Sequence, residues 1–519
     1  MKRIIIALAV LLNSALMIAQ TEFDAQKLMQ TDINGTARYM GLAGAMGALG
    51  GDASAIKDNP AGLGVYRKSE FTGTINWMNQ GSSTSWYDKD NNSGGIKKTT
   101  MNNLSYVMAS PSGSSEGLVS SNWSFSFNRL KNFDREVSIS SNPFLSPTSI
   151  TDYIAYFTNG FYEPALQLTD SYNPYMNPEM PWISKLAYNG YLINPIVDPK
   201  TNQKSDQWMS AMPNQGVTPS YYVRERGYLD EFSLSWAGNI GNKLYIGVSG
   251  NLRSLYHSKM SIYNEKFSGG SSLHFDDTTN TSGLGLNLNV GAIYRPNDFI
   301  RIGLSIHTPT LYALQRDHFT SLYSSTDSSA NAIADSPIGT YNFNLQDPLK
   351  INGGLAFVLG KYGLISAEYD YSNYQGMQLL DINGSTSKYA FENASMKTNL
   401  NDVGTIKIGA EFKLSDNFAL RAGYANSSAS TKNNAMKILP LNVKEVSPEN
   451  FLHNYTSFYS GGIGYRNSGF FADLAYVRKV MNESFTPYNS LIFAPNEAVN
   501  AARVLTTSNN IVLSVGFRF

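Results

Sequence analysis

The chain has 519 residues, no cysteine, and 40 basic and 40 acidic side chains, which give a formal net charge of zero. The lack of cysteine excludes disulfides and thiolate metal sites, and the balanced charge gives no support to nucleic-acid binding. Charged residues make up only 15% of the chain, which also holds 32 tyrosines, 26 phenylalanines and 43 glycines.

The first residues have the pattern of a secretory signal peptide. Lys2 and Arg3 precede an apolar run over 4–12, and small residues lead to Ala19-Gln20, a plausible cleavage point. We therefore predict a signal peptide at 1–19, with a retained N-terminal anchor as the alternative. No later apolar run reaches the length of about 18 residues that a helical span needs. Export together with this composition favours a chain that crosses a membrane as β-strands.

The segment 41–63 (GLAGAMGALGGDASAIKDNPAGL) is rich in glycine and small residues. Glycine lets a backbone pack closely against another surface, asparagine and aspartate bond to nearby backbone, and Pro60 fixes one dihedral angle. These features predict a compact segment that is only marginally stable and suits a gate. A nucleotide-binding loop is the alternative, but the glycine spacing matches neither G-x-G-x-x-G nor a P-loop.

Alternation of apolar and polar residues with a period of two recurs from residue 69 to the C-terminus and indicates β-strands. The segment 511–519 (IVLSVGFRF) is the clearest example, although soluble β-sandwiches also show such alternation. We predict strands near 69–78, 101–110, 121–131, 228–239, 243–263, 282–295, 299–313, 340–359, 362–374, 403–414, 418–426, 456–466, 469–480 and 509–519.

The connections between these strands alternate in length. The long gaps lie near 79–100, 132–227, 264–281, 314–339, 375–402, 427–455 and 481–508, and short turns such as GNIGNK, RPND and SDN separate them. Outer-membrane barrels sort their connections in this way, because turns face the periplasm and loops face outside. We therefore predict an all-β fold: a 14-stranded antiparallel transmembrane β-barrel over 67–519, with an N-terminal segment at 20–66.

The period of two also predicts which side chains face lipid and which face the lumen. In the hairpin 405–424 the turn SDN keeps both apolar rows on one side and sets Glu411 opposite Arg421, where we predict an ion pair in the lumen. Aromatic side chains near strand ends are predicted to form interfacial girdles: Trp77, Tyr106, Trp123, Tyr228, Trp236, Tyr245, Tyr294, Tyr424, Tyr465 and Tyr476.

Other candidate sites are weak. Asp88, Asp90 and Asn92 resemble the start of a calcium loop, but the glycine is misplaced and Thr99 stands where a glutamate is needed. A flexible extracellular loop is therefore predicted there. His257 and Ser258 are adjacent on a strand and point to opposite faces, so they do not form a nucleophile and base. We predict no catalytic residue, no metal site and no cofactor.

The segment 34–63, which ends in Asn59-Pro60-Ala61-Gly62-Leu63, resembles the FadL/TodX family of outer-membrane transporters for hydrophobic compounds. The segment 283–310 is similar to the family's paired strands joined by a short periplasmic turn. Phe517 and Phe519 in the closing GFRF resemble an outer-membrane assembly signal. One departure is the large insertion at about 132–227, in which short helices are predicted at 149–160 and 181–192.

The resemblance implies that the N-terminal segment at 20–66 is a hatch folded inside the barrel, with Asn59, Pro60 and Ala61 as its motif. We also predict that Gly62 and Asp52, together with this motif, are gating residues of the hatch. A kink in one barrel strand would open a lateral exit toward the membrane, and no energy coupling would be needed.

The expected function is passive uptake of hydrophobic small molecules such as long-chain fatty acids, bound in a mostly apolar pocket above the hatch. The expected partners are this ligand, outer-membrane lipid and lipopolysaccharide, and the barrel-assembly machinery. The chain is expected to be a monomer in the bacterial outer membrane. Uptake of haem, and a surface or adhesin barrel without transport, are the alternatives.

Overall fold

The computed structural model describes residues 22–177, 179–326, 329–437 and 446–519. The predicted signal peptide and the first two residues of the predicted hatch lie outside these ranges. Fourteen antiparallel strands form a closed barrel, and we number them in chain order. They are β1 (Glu70–Trp86), β2 (Ile96–Met108), β3 (Leu118–Asn132), β4 (Val217–Ile240), β5 (Leu244–Phe267), β6 (Ser272–Tyr294), β7 (Ile300–His307), β8 (Lys350–Val358), β9 (Gly363–Ser372), β10 (Val403–Lys413), β11 (Phe418–Ser427), β12 (Asn450–Arg466), β13 (Phe470–Thr486) and β14 (Ala502–Arg518).

Each barrel strand pairs with its neighbours in the chain, and β14 closes the ring by pairing with β1 from Glu70↔Arg518 to Ser85↔Arg503. Closure leaves the ring without a free edge, which stabilises a chain that has no disulfide. Ser69 and Phe519 exchange backbone hydrogen bonds of 3.1 Å at the end of the barrel where β1 begins and β14 ends. We call this end the turn rim and the opposite end the loop rim. The predicted 14-stranded antiparallel barrel is confirmed.

Side chains alternate between the outer surface and the lumen as the period of two predicts. On β14, Ile511 and Phe517 are exposed on the outside, whereas Val512 and Ser514 are fully buried inside. Most of the predicted girdle aromatics are exposed on the outer surface or partly so. Tyr245 is an exception, since it is 3% exposed and packs inside the barrel against Ala61 and Ile293.

Short turns and long loops alternate as predicted, except at the connection between β5 and β6. The gap predicted near 264–281 is wrong, because β5 and β6 extend to Phe267 and Ser272 and leave a turn of 268–271. Two predicted strands each merge two elements, since 299–313 covers β7 and the start of another strand, and 340–359 likewise ends in β8. The additional strands at the loop rim are Lys89–Asn92, Arg135–Ser140, Ile193–Val197, Lys204–Ser210, Leu311–Thr326, Ser329–Asp335, Gly339–Gln346 and Gln378–Leu380.

The acidic sequence at 88–94 is not a free loop. Lys89–Asn92 folds back on the end of β1 as an antiparallel hairpin, with Trp86 opposite Lys89 and Ser83 opposite Asn92. Tyr87 and Asp88, at the tip, have positive φ angles of 45° and 59°, as a tight hairpin turn requires. The prediction of a flexible loop is therefore wrong for these residues.

The insertion between β3 and β4 runs over 133–216, because β4 begins at Val217 and so takes the last residues of the predicted range. Its two predicted helices are present as Ile150–Thr158 and Trp182–Asn189. Together with 487–501 the insertion forms what we call the cap, a cover over the loop rim that shares a hydrophobic core with the ends of several barrel strands. That core includes Tyr153, Trp182, Leu186, Trp208, Phe485 and Tyr488.

The remaining helical elements are short. The α-helices are Glu22–Met29, Ala37–Gly41 and Ala390–Asn399, and the 3₁₀-helices are Ala55–Lys57, Pro60–Val65, Glu163–Leu166, Pro174–Met176, Tyr374–Gly376, Ser387–Tyr389 and Ser490–Ile492. Among the described residues, no helix has both the length and the apolar character that a membrane span demands.

Glu265, near the end of β5, attaches the cap to the barrel wall. Its carboxylate is fully buried and accepts hydrogen bonds from the Ser149 hydroxyl and from the Ile150 backbone N–H at 2.9 Å. These groups begin the helix Ile150–Thr158, so Glu265 satisfies donors that the helix itself leaves free.

We expect Glu265→Ala to loosen the cap while the barrel stays folded, because buried donors that lose their hydrogen-bond partner cost about 1–3 kcal/mol. Protease cleavage within 150–212 should rise about tenfold or more, measured by limited proteolysis of the purified barrel. Glu163→Ala, which removes the more exposed pair with Lys204 in the same cap, is the control and should change little. Equal cleavage of both variants would contradict this role for Glu265.

Candidate functional site

Residues 22–66, which we call the hatch, lie inside the lumen. Their backbone is hydrogen-bonded to side chains from strands on all sides of the ring. Ser514 accepts from Ala37 N at 2.7 Å, and Glu368 accepts from Gly47 N at 2.6 Å. Further wall side chains donate to hatch carbonyls: Ser460 to Gly41 at 3.0 Å, Asn289 to Lys57 at 3.1 Å and Asn122 to Leu63 at 2.9 Å.

Two of the predicted gating residues shape the hatch itself. The Asp52 carboxylate accepts from the Thr36 hydroxyl at 2.8 and 2.9 Å and from Ser54 N at 2.9 Å, so it joins the two halves of the hatch. Gly62 packs against Gly50, and a Cβ on Gly62 would lie 2.9 Å from the Gly50 Cα. Both residues therefore act within the hatch, and neither faces the barrel wall in this structure.

The predicted motif residues Asn59, Pro60 and Ala61 lie where the hatch meets β5, β6 and β7. The Asn59 side-chain amide donates to Gly47 O at 2.8 Å within the hatch and to Ala292 O at 3.2 Å on the wall. Its Oδ1 accepts from Ala61 N at 3.1 Å and begins the 3₁₀-helix Pro60–Val65. Asn59, which is 1% exposed, thus connects the hatch to the wall through backbone carbonyls.

Glycines on the barrel strands leave room for the hatch backbone to lie against the wall. A Cβ at any of five wall glycines would lie 2.0–2.7 Å from a hatch atom, which is closer than atoms pack. On β7, for example, a Cβ at Gly303 would lie 2.5 Å from Gly47 O. The five are Gly247, Gly291, Gly303, Gly409 and Gly423.

The predicted ion pair between Glu411 and Arg421 is part of a longer chain of charges that includes the hatch. Arg421 Nε donates to Glu411 Oε2 at 2.7 Å, and its Nη1 donates to Asp473 Oδ1 at 2.6 Å. From the hatch, Arg38 Nε donates to the same Glu411 oxygen at 2.9 Å. All four side chains are less than 10% exposed. Removing one member of such a buried set leaves an uncompensated charge, which costs about 3–5 kcal/mol.

A second charged cluster holds the hatch against β8, β9 and β10. Lys407 Nζ lies 2.8 Å from Glu368, 2.6 Å from Asp370 and 4.0 Å from Asp58 of the hatch. Burial alone would raise the pKa of Asp58, but the ammonium groups of Lys57 and Lys407 hold it below its ordinary value. Burial lowers the pKa of Lys57. Asp58 therefore stays ionised at neutral pH and contributes a fixed negative charge to this contact.

A cavity of about 120 Å³, measured as the space open to the centre of a water molecule, lies between the hatch and the wall. Charged side chains line much of it, among them Lys57 and Asp58 of the hatch and Arg253, Lys350 and Lys407 of the wall. The expectation of a mostly apolar pocket is wrong for this cavity, because hatch and wall meet there through charges. Apolar surface lies nearby in a cluster that includes Leu28, Met29, Leu130, Phe133, Leu229 and Leu255.

The strands β2 and β3 are only partly paired. Their backbone ladder covers Asn103–Met108 of β2, although β2 begins at Ile96 and β3 continues to Asn132. Side chains close the remaining gap, since Lys98 is ion-paired with Asp134 and Gln80 Nε2 donates to Asp134 O at 2.7 Å. We call this gap the seam. A small cavity lined by Thr100, Asn102 and Asn132 lies between the seam and the hatch.

Two histidines, His307 and His453, line the cavity, and both are bonded within the protein. His307 bonds to Asp58 O at 2.8 Å, and His453 bonds through both ring nitrogens to Ser430 and Thr456. Within the described ranges, no three His, Cys, Asp or Glu side chains are grouped to hold a metal ion. Phe517 and Phe519 are exposed on the outer surface at the turn rim, where Phe519 stacks on Tyr106 at 6.4 Å.

Sequence reasoning missed Arg38, the cluster around Lys407 and the wall glycines. Arg38 lies in the segment NGTARYMGL, where an arginine among small residues is a signal that it needs a buried partner. The wall glycines occupy lumen-facing positions of strands that otherwise alternate regularly, and such a glycine indicates close approach of another backbone.

No protein-family model matches the sequence, and no curated protein matches it. The structure is similar to that of a FadL homologue from Pseudomonas aeruginosa, with a TM-score of 0.52 and 12% identity, over 94% of this chain and 99% of that chain. It is also similar to the toluene transporter TodX from Pseudomonas putida, with a TM-score of 0.50 and 11% identity, over 94% and 99% of the two chains. These similarities establish the fold, and they confirm the barrel fold that the resemblance to the FadL/TodX family implied.

We expect Gly303→Val to displace the hatch without unfolding the barrel, because the new side chain would occupy the space of the backbone at Gly47 and Ala48. The ion conductance of the purified protein in planar bilayers should then rise severalfold. Gly353→Val on the adjacent strand is the matched control, since a Cβ there meets nothing within 4 Å. Equal conductance of the two variants would show that the close contact at Gly303 does not hold the hatch.

Proposed function

We propose that this chain is a channel of the bacterial outer membrane that passively admits hydrophobic small molecules, with long-chain fatty acids as the favoured substrates. No chemical step is part of the proposal, so the protein acts as a transporter and not as an enzyme. The observation that carries the proposal is a closed barrel whose lumen is filled by a separate N-terminal segment. A structural barrel has no need of such a removable element.

The way in which the hatch is held supports its movement. No described hatch residue pairs with a barrel strand in the β-ladder. The polar contacts are mostly side-chain hydrogen bonds and ion pairs, such as those of Asn59 and Arg38. One backbone hydrogen bond of 3.0 Å joins Asp32 N to Leu130 O on the wall, and apolar hatch side chains pack against wall residues such as Phe458. Polar contacts can be exchanged for water or ligand one by one, whereas extraction of a strand would break a whole ladder. The hatch can therefore shift while the barrel stays intact.

The proposed path begins at the cap, passes the apolar cluster near Leu28 and Phe133, and leaves through the seam between β2 and β3. The seam is the place where the wall lacks backbone pairing, so it corresponds to the lateral exit that the resemblance implies. Opening it requires separation of side chains such as Lys98 and Asp134, which costs less than breaking a ladder. A ligand that leaves here would enter the membrane without crossing water.

The driving force in this scheme is burial of alkyl carbon. Transfer of each methylene from water stabilises the bound state by about 0.8 kcal/mol, so long chains are favoured over short ones. Haem uptake is less well supported, because both histidines that line the cavity are already bonded inside the protein.

The test is uptake of radiolabelled hexadecanoate by cells that carry the protein, compared with cells that lack it. We expect saturable uptake in the first and little in the second. In the variant Asn59→Ala the hatch loses its bond to Ala292 O. Because a lost buried hydrogen bond costs about 1–3 kcal/mol, the displaced state should be more populated and the initial rate should rise about fivefold or more.

Asn383→Ala, at an exposed position of a loop-rim connection, is the control and should match the wild type. Folding of every variant is checked by heat-modifiable gel mobility. If cells with and without the wild-type protein take up the same amount, the fatty-acid proposal fails. If uptake occurs but a folded Asn59→Ala variant is no faster, the proposed role of Asn59 fails alone.

A further inference from the structure

A buried glutamic acid lies where the hatch meets a helix of the loop rim. The hatch helix Glu22–Met29 packs against the loop-rim helix Ala390–Asn399, which belongs to the connection between β9 and β10. At one end of this contact Asn399 Nδ2 donates to Glu22 Oε1 at 2.7 Å. Glu392 lies about two turns earlier in the loop-rim helix, so it is placed to act on the same contact between hatch and loop rim.

Glu392 has no partner within this contact. Its side chain is 1% exposed, and neither carboxyl oxygen has a hydrogen-bond partner among the described residues. Met396, one helical turn further on, lies on the same face and belongs to the apolar cluster that includes Leu28 and Met29 of the hatch. An isolated carboxylate is costly in such surroundings, so the neutral acid is the form that fits the closed contact.

The elements around Glu392 supply no cation to it. Packed against the loop-rim helix are the hatch helix and three short elements, Tyr374–Gly376, Gln378–Leu380 and Ser387–Tyr389. Their charged or titratable side chains are Glu22, Asp24, Lys27, Tyr374, Lys388 and Tyr389. Lys27 is ion-paired with Glu225, and Lys388 lies over the Tyr389 ring at 5.7 Å. Lys397, on the same helix as Glu392, is exposed. The carboxyl group therefore has no positive charge to balance it when it ionises.

The two acids at this contact hold protons more tightly than acids in water. Burial raises the pKa of Glu392 to about 7 from an ordinary 4.5, and the negative charge of Glu22 adds to the shift. Burial also raises the pKa of Glu22. Because the closed contact favours the protonated acid, its stability is greatest below about pH 4.5 and is lost as the pH rises through about 7.

We propose that Glu392 makes the contact between the hatch helix and the loop-rim helix sensitive to protons: the helices stay packed while the acid is neutral and separate when it ionises. Separation lets water reach the carboxylate and leaves the hatch helix free to shift. As a control on uptake this inference rests on the proposed function, but the contact itself is measured without any ligand.

The test follows the exposure of the hatch helix through a cysteine at Ala25, which is fully buried in the same apolar cluster. The chain has no cysteine of its own, so Ala25→Cys gives a single thiol in the full-length protein in nanodiscs. Its rate of reaction with iodoacetamide is divided by the rate in a protein that also carries Glu392→Gln. Because only the thiolate reacts, this ratio removes the pH dependence of the thiol itself.

We expect a ratio of about one at about pH 5.5, where both side chains are neutral, and of about ten or more at about pH 8.5, where Glu392 is ionised. Glu392→Met, which fills the site without a titratable group, should give the same ratios as Glu392→Gln and replaces it if that variant does not fold. Glu179→Gln, at an exposed position of the cap, is the control and should leave the rate of Ala25→Cys unchanged at every pH.

A ratio that stays the same across this pH range would overturn the inference. A constant ratio of one would show that Glu392 has no effect on the contact, and a constant ratio far from one would assign it a packing role that is independent of pH. If the ratio rises as expected but cells that carry the protein take up no hexadecanoate, the inference stands and the proposed function fails alone.

Discussion

The hatch must satisfy its polar groups inside a barrel, and this requirement explains most of the other features of the structure. Backbone N–H and C=O groups that leave water need partners, and the hatch forms little regular structure of its own to provide them. The wall therefore supplies Ser514, Glu368, Asn289 and Asn122 on separate strands. Glycines on the wall allow the close approach that these hydrogen bonds need.

The same requirement sets the balance of charge in the lumen. Arg38 of the hatch is buried and pairs with Glu411 of the wall. Glu411 also pairs with Arg421, and Arg421 pairs with Asp473. Buried ion pairs of this kind contribute less to net stability than their number suggests, because each charge has lost its hydration. They do define where the hatch sits, since a misplaced charge would be left unpaired. A segment that moves needs both a well-defined resting position and modest overall stability.

Much of the barrel could be predicted from the sequence, because period-two alternation and the sorting of turns and loops are local patterns. The segment 511–519 alternates as predicted, and Glu411 lies opposite Arg421 because the turn SDN fixes the register. Strand ends were harder to predict, as at β5 and β6, where polar residues above the membrane continue the ladder. The partners of the hatch could not be predicted, because contacts such as Arg38 with Glu411 join residues far apart in the chain.

If a ligand passes only when the hatch moves, a reversible cross-link between hatch and wall should block uptake. A Cβ at Gly41 of the hatch would lie 3.7 Å from the Cβ of Ala475 on β13, a separation that suits a disulfide. The chain has no other cysteine, so Gly41→Cys with Ala475→Cys would form a single bond between hatch and wall. Uptake of hexadecanoate by cells is then measured before and after reduction.

We expect the oxidised double variant to be folded at the cell surface but to take up hexadecanoate at least about tenfold more slowly than either single variant. Reduction with dithiothreitol should restore the rate. Uptake at the wild-type rate through a barrel whose hatch is demonstrably cross-linked would show that the ligand passes without movement of the hatch.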